Sequence, residues 1–363
     1  MKPALIHEYL NQFGGAERVL QVLALMLPNA PIYTTLYDRA LTGGVFAGRE
    51  VRTSFIQRLP SALSHHHWYS PLMPLAVEQF DLAAFDTIVS VSASFAKGVI
   101  VHPGMRHLCY CLTPPRFLWD DSQRFSARFR QSLPTRWLSP LALSYLRVWD
   151  QQAAGRVDEW VAISDVVRRR IQKYYQKDSV VVYPPVNVAK FPLADAPPQG
   201  YWLMVGRLVA YKNFDLAIAA FNQLGWPLKI VGTGIEERRL RDVAKRNVEF
   251  LGQVSDEQLS ELYRGAFGVV FPQEEDFGIV PLEAMASGRP VVALAAGGAL
   301  ETVVEKITGT FFAEPTLGAL VDAVDRASRL KWLPELIRGQ AQRFDIPIFR
   351  EKMEAILHDH DRS

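Results

Sequence analysis

Two cationic side chains follow an apolar run in the second half of the chain and have the chemistry to bind a diphosphate. Arg207 comes just after the predicted strand Trp202–Val205, and Lys212 stands at the start of the next predicted helix. An arginine offers a planar fork of donors and a lysine a compact charge, and both bind phosphate oxygens. The pair predicts a diphosphate site at the carboxyl end of a strand. Two surface cations on an ordinary loop are the alternative.

A second loop, after the predicted strand Gly268–Phe271, combines carboxylates with the start of a helix. Gly278 permits a tight turn, and Pro281 suits the first turn of a helix, whose free N–H groups favour a phosphate. Glu283 is the type of carboxylate that accepts hydrogen bonds from ribose hydroxyls in dinucleotide folds. Glu275 is a candidate for binding sugar hydroxyls. The alternative is an acidic turn that only stabilises the helix dipole.

A pair of glycines, Gly14 and Gly15, follows the first predicted strand, Ala4–His7, and opens a helix. Adjacent glycines allow a ligand to approach the backbone closely, and a helix start offers N–H groups to an anion. A strand–helix turn that uses glycine only for its backbone angles explains the pair equally well.

Parallel sheets are needed to position these loops, and the rest of the chain has the corresponding pattern. Short β-branched or aromatic runs alternate with helical stripes in both halves, and residues 184–198 hold five prolines in 15 positions. We therefore expect an α/β protein of two doubly wound, Rossmann-like domains, 1–184 and 185–344, with a cleft between them.

The composition excludes several classes of protein. The chain has 363 residues, of which 49% are hydrophobic and 21% charged, and only two are cysteines. This length predicts about two domains, and two cysteines do not make a disulfide scaffold. No uncharged apolar run reaches the roughly 18–20 residues of a membrane span. The N-terminal residues read directly as strand and loop, so we expect no signal peptide.

The net charge of +2 conceals an asymmetry between the two halves. Residues 1–184 carry 20 Lys and Arg against 14 Asp and Glu, whereas residues 185–363 carry 20 against 24. A basic first half suits nucleic acid, anionic lipid or a phosphorylated substrate. No nucleic-acid recognition motif accompanies the charge, so nucleic acid is not expected.

A basic and aromatic stretch supplies much of this excess. It contains Arg124, Phe125, Arg128, Phe129, Arg130, Arg136, Trp137, Arg147 and Trp149. The stretch suits an amphipathic patch that contacts anionic lipid. A solvated arginine face with its aromatic rings in the core is the alternative.

The order of the motifs resembles a known family. Gly14-Gly15-Ala16-Glu17, then Gly206-Arg207-x4-Lys212, then Glu275-x7-Glu283 resemble family-4 retaining glycosyltransferases of the GT-B fold. The segments IYTTLYD, WVAISDVVRRRI and QEEDFGIVPLEA are similar to bacterial O-antigen and exopolysaccharide mannosyltransferases of the WbaZ type. The resemblance covers essentially the whole chain.

The resemblance implies a role for each candidate residue. Arg207 and Lys212 would hold the donor diphosphate and neutralise the leaving group, and Glu275 would bind the donor sugar. Glu283 would bind the ribose. The remaining donor-binding residues would be Gly14, Gly15, Phe277, Gly278, Ile279 and Val280.

The resemblance also implies an activity. The protein would transfer a hexose with retention, most simply mannose from GDP-mannose, to a polyprenyl-diphosphate-linked saccharide in polysaccharide synthesis. It would need neither metal nor cofactor and would work in the cytoplasm, peripherally on the membrane. A C-terminal helix within 345–363 would cross back to the acceptor-binding N-terminal domain.

One position departs from the pattern. Many relatives place a histidine before the Thr-Pro pair at 113–114, whereas this chain has Leu112. Either the sugar differs, or Arg116 on the acceptor side compensates, or activity is impaired. The alternatives are therefore a UDP-hexose transferase, a sugar-nucleotide epimerase of the same architecture, and a non-catalytic nucleotide-sugar-binding protein.

Overall fold

The computed structural model describes residues 1–120, 133–194 and 197–358. They divide into two compact units, Met1–Tyr183 and a second unit that begins at Pro184. Arg124, Arg128 and Arg130 of the basic stretch lie outside the described residues, as do positions 359–363 of the predicted C-terminal helix. Among the described residues, no helix is both long enough and apolar enough to cross a membrane.

The described residues of the first unit form a sheet of seven strands, all parallel. They are β1 (Pro3–His7), β2 (Ile32–Thr34), β3 (Val51–Thr53), β4 (Thr87–Ser92), β5 (Arg106–Cys111), β6 (Glu159–Ala162) and β7 (Val180–Val181). Their order in the sheet is β3-β2-β1-β4-β5-β6-β7, so the direction of winding reverses between β1 and β4. The described α-helices are α1 (Gly15–Met26), α2 (Ala62–His65), α3 (Met73–Glu78), α4 (Arg116–Trp119), α5 (Leu133–Ala154) and α6 (Asp165–Tyr175).

In the second unit, the part of the chain that the structure describes forms a parallel sheet of six strands. They are β8 (Tyr201–Val205), β9 (Leu228–Val231), β10 (Val248–Gly252), β11 (Ala266–Phe271), β12 (Val291–Leu294) and β13 (Gly309–Phe312). The order β10-β9-β8-β11-β12-β13 reverses between β8 and β11. Its described α-helices are α7 (Phe214–Leu224), α8 (Glu237–Val243), α9 (Asp256–Gly265), α10 (Ile279–Ala286), α11 (Ala299–Thr302), α12 (Leu317–Arg329), α13 (Pro334–Gln342) and α14 (Ile346–His358).

The reversal between β8 and β11 decides where a ligand can bind in the second unit. Ligands of doubly wound sheets occupy the crevice outside the carboxyl ends of the two strands that flank such a reversal. The loops that follow β8 and β11 are those that carry the predicted diphosphate and sugar residues. The fold thus brings two sequence-distant motifs to one edge.

A shared apolar core holds the second sheet against its helices. In α7, Phe214, Ala217, Ile218 and Phe221 recur at the spacing of one helix face, and all four are buried. They pack in one cluster with side chains of the sheet such as Trp202 and Leu228. This packing fixes the start of α7, and with it the preceding loop that carries Lys212.

The predicted α/β architecture is confirmed, and most predicted elements are present. The helix predicted over 165–175 has those bounds, and Ser164 caps it by accepting the N–H of Val167 over 3.2 Å. Several predicted bounds differ from the structure. The sequence pattern predicts a helix over 236–246, which ends at Val243 because Ala244 has an extended backbone. It predicts a further element over 282–287, which begins at Ile279 because Gly278 makes the turn (φ 89°) directly before it.

The C-terminal helix exists as α14 within the second unit. Phe349, Met353 and Leu357 form its buried stripe, as the sequence pattern predicts. Its expected crossing to the N-terminal domain stays a prediction.

Candidate functional site

The loop after β8 positions Lys212 over a glycine. Gly206 has a positive φ of 153°, and a Cβ at this position would lie 3.1 Å from Nζ and 3.2 Å from Cδ of Lys212. Any larger residue would therefore displace the lysine side chain as well as strain the backbone. The backbone angle and the adjacent Lys212 side chain therefore both favour glycine at position 206.

Lys212 is paired directly with Glu275. Its Nζ lies 2.7 Å from Oε1 of Glu275, and the two side chains are 13% and 21% exposed. Gln273, which is itself buried, donates from Nε2 to the same oxygen over 3.2 Å. The strand order brings the predicted phosphate-binding cation and the predicted sugar-binding carboxylate together as an ion pair.

Arg207 contrasts with Lys212. It is exposed, and its guanidinium has no hydrogen bond or ion pair among the described residues. An arginine in this state at the end of β8 is available to an anionic ligand, and its five N–H groups suit two phosphate oxygens at once.

The loop that carries Glu275 is clamped by backbone contacts from the next loop. The N–H of Gly298 donates to the carbonyl of Glu275 over 2.8 Å. A Cβ at 298 would lie 2.3 Å from both Cα and the carbonyl oxygen of Phe277. On the other side, Asn213 donates from Nδ2 to the carbonyl of Pro272 over 2.8 Å. The position of Glu275 is therefore fixed by tight packing on both sides.

Helix α10 begins at this loop. Gly278 precedes it with no side-chain cap, and no acidic residue occupies its first turn. Ile279 and Val280 lie in that first turn, where N–H groups have no partner within the helix and where the positive end of the helix dipole lies. Phe277, buried at 3% exposure, anchors the turn. The alternative of an acidic first turn does not hold, since Glu283 lies one turn further on.

Glu283 is held inside the unit. It is 4% exposed, and Oε2 accepts a hydrogen bond from the hydroxyl of Tyr263 over 2.9 Å. Sequence reasoning did not identify Tyr263, since a tyrosine on a neighbouring helix has no motif spacing to Glu283. Similarly, the Lys212–Glu275 pair has no signature, because 62 residues separate its members along the chain.

In the first unit, Gly14 and Gly15 stand at the start of α1, after β1. The N–H of Gly14 donates to Oε2 of Glu17 over 2.7 Å, so this amide is already used inside the protein. His7 Nε2 lies 3.5 Å from Oε1 of the same carboxylate. Burial alone raises the pKa of Glu17, but the contact with His7 and the backbone hydrogen bonds bring this pKa below its ordinary value. The Gly-x-x-Glu spacing, which is that of a capping box, could have predicted that Glu17 accepts the N–H of Gly14.

Leu112 and Arg116 also lie in the first unit, after β5. The N–H of Leu112 donates to the carbonyl of Ser92 over 2.8 Å, and the half-buried Arg116 opens α4.

Two members of the basic and aromatic stretch are integrated into the fold. Arg147 donates to the carbonyl of Leu118 over 2.9 Å, and the buried Trp149 donates to Glu78 over 2.8 Å. For Trp149, therefore, the core alternative is correct.

Among the described ranges, no group of three or more His, Cys, Asp or Glu side chains is arranged to hold a metal ion. Cys109 and Cys111 are buried free thiols on β5.

Known proteins resemble this chain in both sequence and fold. Residues 186–343 match the family model described as glycosyl transferases group 1. The mouse protein named alpha-1,3/1,6-mannosyltransferase ALG2 is 28% identical over an alignment of 278 residues, and the match covers 66% of this chain and 63% of ALG2. The alignment thus spans less than two thirds of that relative.

Solved structures match the whole chain. Sucrose-phosphate synthase from Thermosynechococcus elongatus superposes with a TM-score of 0.74 at 17% identity and covers 100% of both chains. Anabaena HepE, solved in complex with UDP-glucose, gives a TM-score of 0.72 at 17% identity and covers 99% of this chain and 100% of its own.

The fold and the second-unit site define the class. Two parallel-sheet Rossmann-like units with this whole-chain match make the GT-B fold, and the predicted fold class is confirmed. The residues that resemble glycosyl transferases of group 1, also called family 4, are 186–343, which lie in this second unit. Nucleotide-sugar donors are typical of this class, and the mannosyltransferase name comes from a distant relative.

Proposed function

We propose that this protein transfers a hexose from a nucleotide sugar, with retention at the anomeric carbon, and that the donor is GDP-mannose. The observation that carries the proposal is the 2.7 Å contact between Lys212 and Glu275 beside the exposed Arg207. A cation for phosphate and a carboxylate for sugar hydroxyls are adjacent, as they must be where a sugar is bonded directly to a diphosphate.

The chemistry follows from charge. In the reaction the bond between the anomeric carbon and the β-phosphate oxygen breaks, and the acceptor hydroxyl oxygen bonds to that carbon. The acceptor proton passes to the departing phosphate oxygen on the same face of the sugar. Negative charge grows on the diphosphate as the bond breaks, so Arg207 and Lys212 stabilise the transition state more than the bound donor.

The loop at the start of α10 would orient the donor. The N–H groups of residues 277–280 would donate to the sugar and the phosphate, and Glu275 would accept from sugar hydroxyls. Glu283 would accept from the ribose. Backbone donors held by tight packing lose little entropy when the ligand binds, which favours both affinity and rate.

The sugar assignment rests on similarity. The mannosyltransferase name of the mouse relative at 28% identity supports mannose, in keeping with the motif resemblance. A UDP-hexose donor is the rival outcome of the test below. For Leu112, we propose that the missing imidazole contact is supplied from Arg116.

The first unit would supply the acceptor side. Gly14 and Gly15 would lie against the diphosphate. The N–H of Gly14 already donates to Glu17, so other backbone groups of this turn would make the contact. The acceptor would be a polyprenyl-diphosphate-linked saccharide, reached by peripheral contact with an anionic membrane on its cytoplasmic face. The excess of six positive charges in residues 1–184 supports this placement.

Thermal melting with GDP-mannose, UDP-glucose and UDP-GlcNAc tests the donor assignment. We expect GDP-mannose to raise the melting temperature of the wild type and to raise that of Arg207→Ala much less. Arg246→Ala is the matched control. Arg246 is exposed and lies just before the amino end of β10, whereas Arg207 follows the carboxyl end of β8. Stabilisation by a uridine donor alone would contradict the assignment of GDP-mannose.

A further inference from the structure

A buried tyrosine hydroxyl holds one oxygen of Glu283. Tyr263 has no exposed surface, and its hydroxyl donates to Oε2 of Glu283 over 2.9 Å. The bond joins α9 to α10. An O–H donor on a carboxylate is a charge-assisted hydrogen bond, and exclusion of water strengthens it. The carboxylate is therefore held in one orientation before any ligand arrives.

Tyr263 is itself held by the segment that opens the second unit. The ring of Phe191 meets the ring of Tyr263 edge to face, with centroids 5.6 Å apart and planes at 83°. Phe191 is 1% exposed, and its carbonyl accepts a hydrogen bond from Nη1 of Arg338 over 2.6 Å. Because the ring cannot swing away, the hydroxyl has a fixed position relative to α10.

We propose that Tyr263 is a positioning residue for ribose recognition, which orients the carboxylate of Glu283 towards the ribose hydroxyls. The inference rests on the proposed function, in which Glu283 accepts hydrogen bonds from those hydroxyls. A glutamate side chain has three rotatable bonds, and anchoring one oxygen removes most of that freedom. The free-energy cost of ordering the Glu283 side chain when the ligand binds is therefore smaller.

The readout is discrimination between a ribonucleotide and its dideoxy analogue. We would measure dissociation constants by calorimetry for GDP and 2′,3′-dideoxy-GDP, and for the matching uridine pair. For the wild type we expect the ribonucleotide with the preferred base to bind at least about tenfold more tightly than its analogue. Tyr263→Phe lowers this ratio to about threefold or less and leaves the affinity for the analogue unchanged.

Tyr201→Phe is a matched control. The hydroxyl of Tyr201 donates to the carbonyl of Leu262 over 2.9 Å, so this variant also removes a tyrosine hydrogen bond to α9. It does not touch Glu283, and we expect the wild-type ratio. A second variant, Phe191→Leu, keeps the Tyr263 hydroxyl but removes the ring that holds it. We expect it to lower the ratio, and it replaces Tyr263→Phe if that variant does not fold.

The outcomes separate this inference from the proposed function. If neither GDP nor UDP binds the wild type, the proposed function and the positioning role of Tyr263 are both wrong. If Glu283→Gln keeps the wild-type ratio, the ribose role of Glu283 is wrong, and the inference falls with it. If Glu283→Gln abolishes discrimination but Tyr263→Phe retains it, only the positioning role is overturned.

Discussion

Lys212 and Glu275 form an ion pair of 2.7 Å at the reversal of the second sheet, although 62 residues separate them in the chain. The opposite charges of the two side chains offset each other. A donor that binds as proposed must divide this pair, because the diphosphate attracts the lysine and the sugar hydroxyls donate to the carboxylate. The donor would thus replace each partner of the pair.

Removing the charge of Lys212 tests its role on the leaving group. Lys212→Met keeps an apolar stem over Gly206 but has no ammonium group, and we expect kcat to fall about a hundredfold. The fall follows because the transition state carries more negative charge on the diphosphate than the bound donor does. Initial rates of sugar transfer at saturating donor measure the effect.

The matched control for this variant is Lys229→Met. Lys229 lies on β9 and faces Glu249 at 3.8 Å and the ring of Tyr201 at 4.2 Å, away from the proposed site. We expect its kcat to match that of the wild type. Equal losses in the two variants would mean that lost stability, rather than lost phosphate contact, explains the result.

Glu275→Gln is expected to lower turnover and to raise the affinity for GDP. Turnover falls sharply, because the amide is a poorer acceptor for sugar hydroxyls. The affinity for GDP alone rises by up to about fivefold, because the ion pair no longer holds the side chain of Lys212. Glu274→Gln, an exposed neighbour on the same loop, should change neither quantity. Weaker GDP binding in Glu275→Gln would show that the pair does not compete with the diphosphate.

A methyl group at position 298 should displace the loop that carries Glu275. In Gly298→Ala the new Cβ would lie 2.3 Å from backbone atoms of Phe277, so the loop must move. Such overpacking costs about 1–3 kcal/mol of stability, and donor binding should weaken with it. Gly318→Ala, on α12, has no atom within 4 Å of the new Cβ and is the control. Unchanged donor affinity in Gly298→Ala would contradict the rigidity assigned to this loop.

The first unit should lose stability in mild acid because of His107. Burial lowers the pKa of this fully buried imidazole from 6.5 to about 4, while Asp158 and a backbone hydrogen bond act in the opposite direction. Below pH 6.5 the unfolded chain binds a proton that the folded chain does not, so stability falls as the pH decreases towards 4. Between pH 7 and pH 5 this group contributes a loss of about 2 kcal/mol.

Urea unfolding of His107→Gln at pH 7 and pH 5 measures that contribution. The variant should be less stable at pH 7, since it disturbs the contact with Ser90 at 2.8 Å, but should lose about 2 kcal/mol less than the wild type on acidification. His102→Gln, an exposed histidine of the same unit, should keep the wild-type dependence. An identical loss in His107→Gln and wild type would rule out His107 as the origin.

The sequence was sufficient for the architecture because local signals agree with it. Periodic apolar stripes, the Ser164 cap and the glycines after strands each predict an element that the structure contains. The start of α10 was misplaced because Pro281 suits several positions in a first turn, whereas the positive φ of Gly278 decides the boundary.

The contacts of the site could not be predicted, since they depend on packing between distant segments. No spacing links Lys212 to Glu275 or Tyr263 to Glu283; the strand order and the helix packing create both pairs. The clamp of Gly298 on Phe277 is likewise a close approach between two loops, and a glycine in the sequence does not reveal its neighbour.

Transfer of labelled mannose tests the central claim most directly. Wild type and Lys212→Met would be incubated with GDP-[14C]mannose and a polyprenyl-diphosphate-linked saccharide, with UDP-glucose in parallel, and the anomer of the product would be determined by NMR. We expect the wild type to form a lipid-linked product with the anomeric configuration of the donor and the variant to form about a hundredfold less. Inversion of configuration, or equal transfer by both proteins, would contradict the central claim.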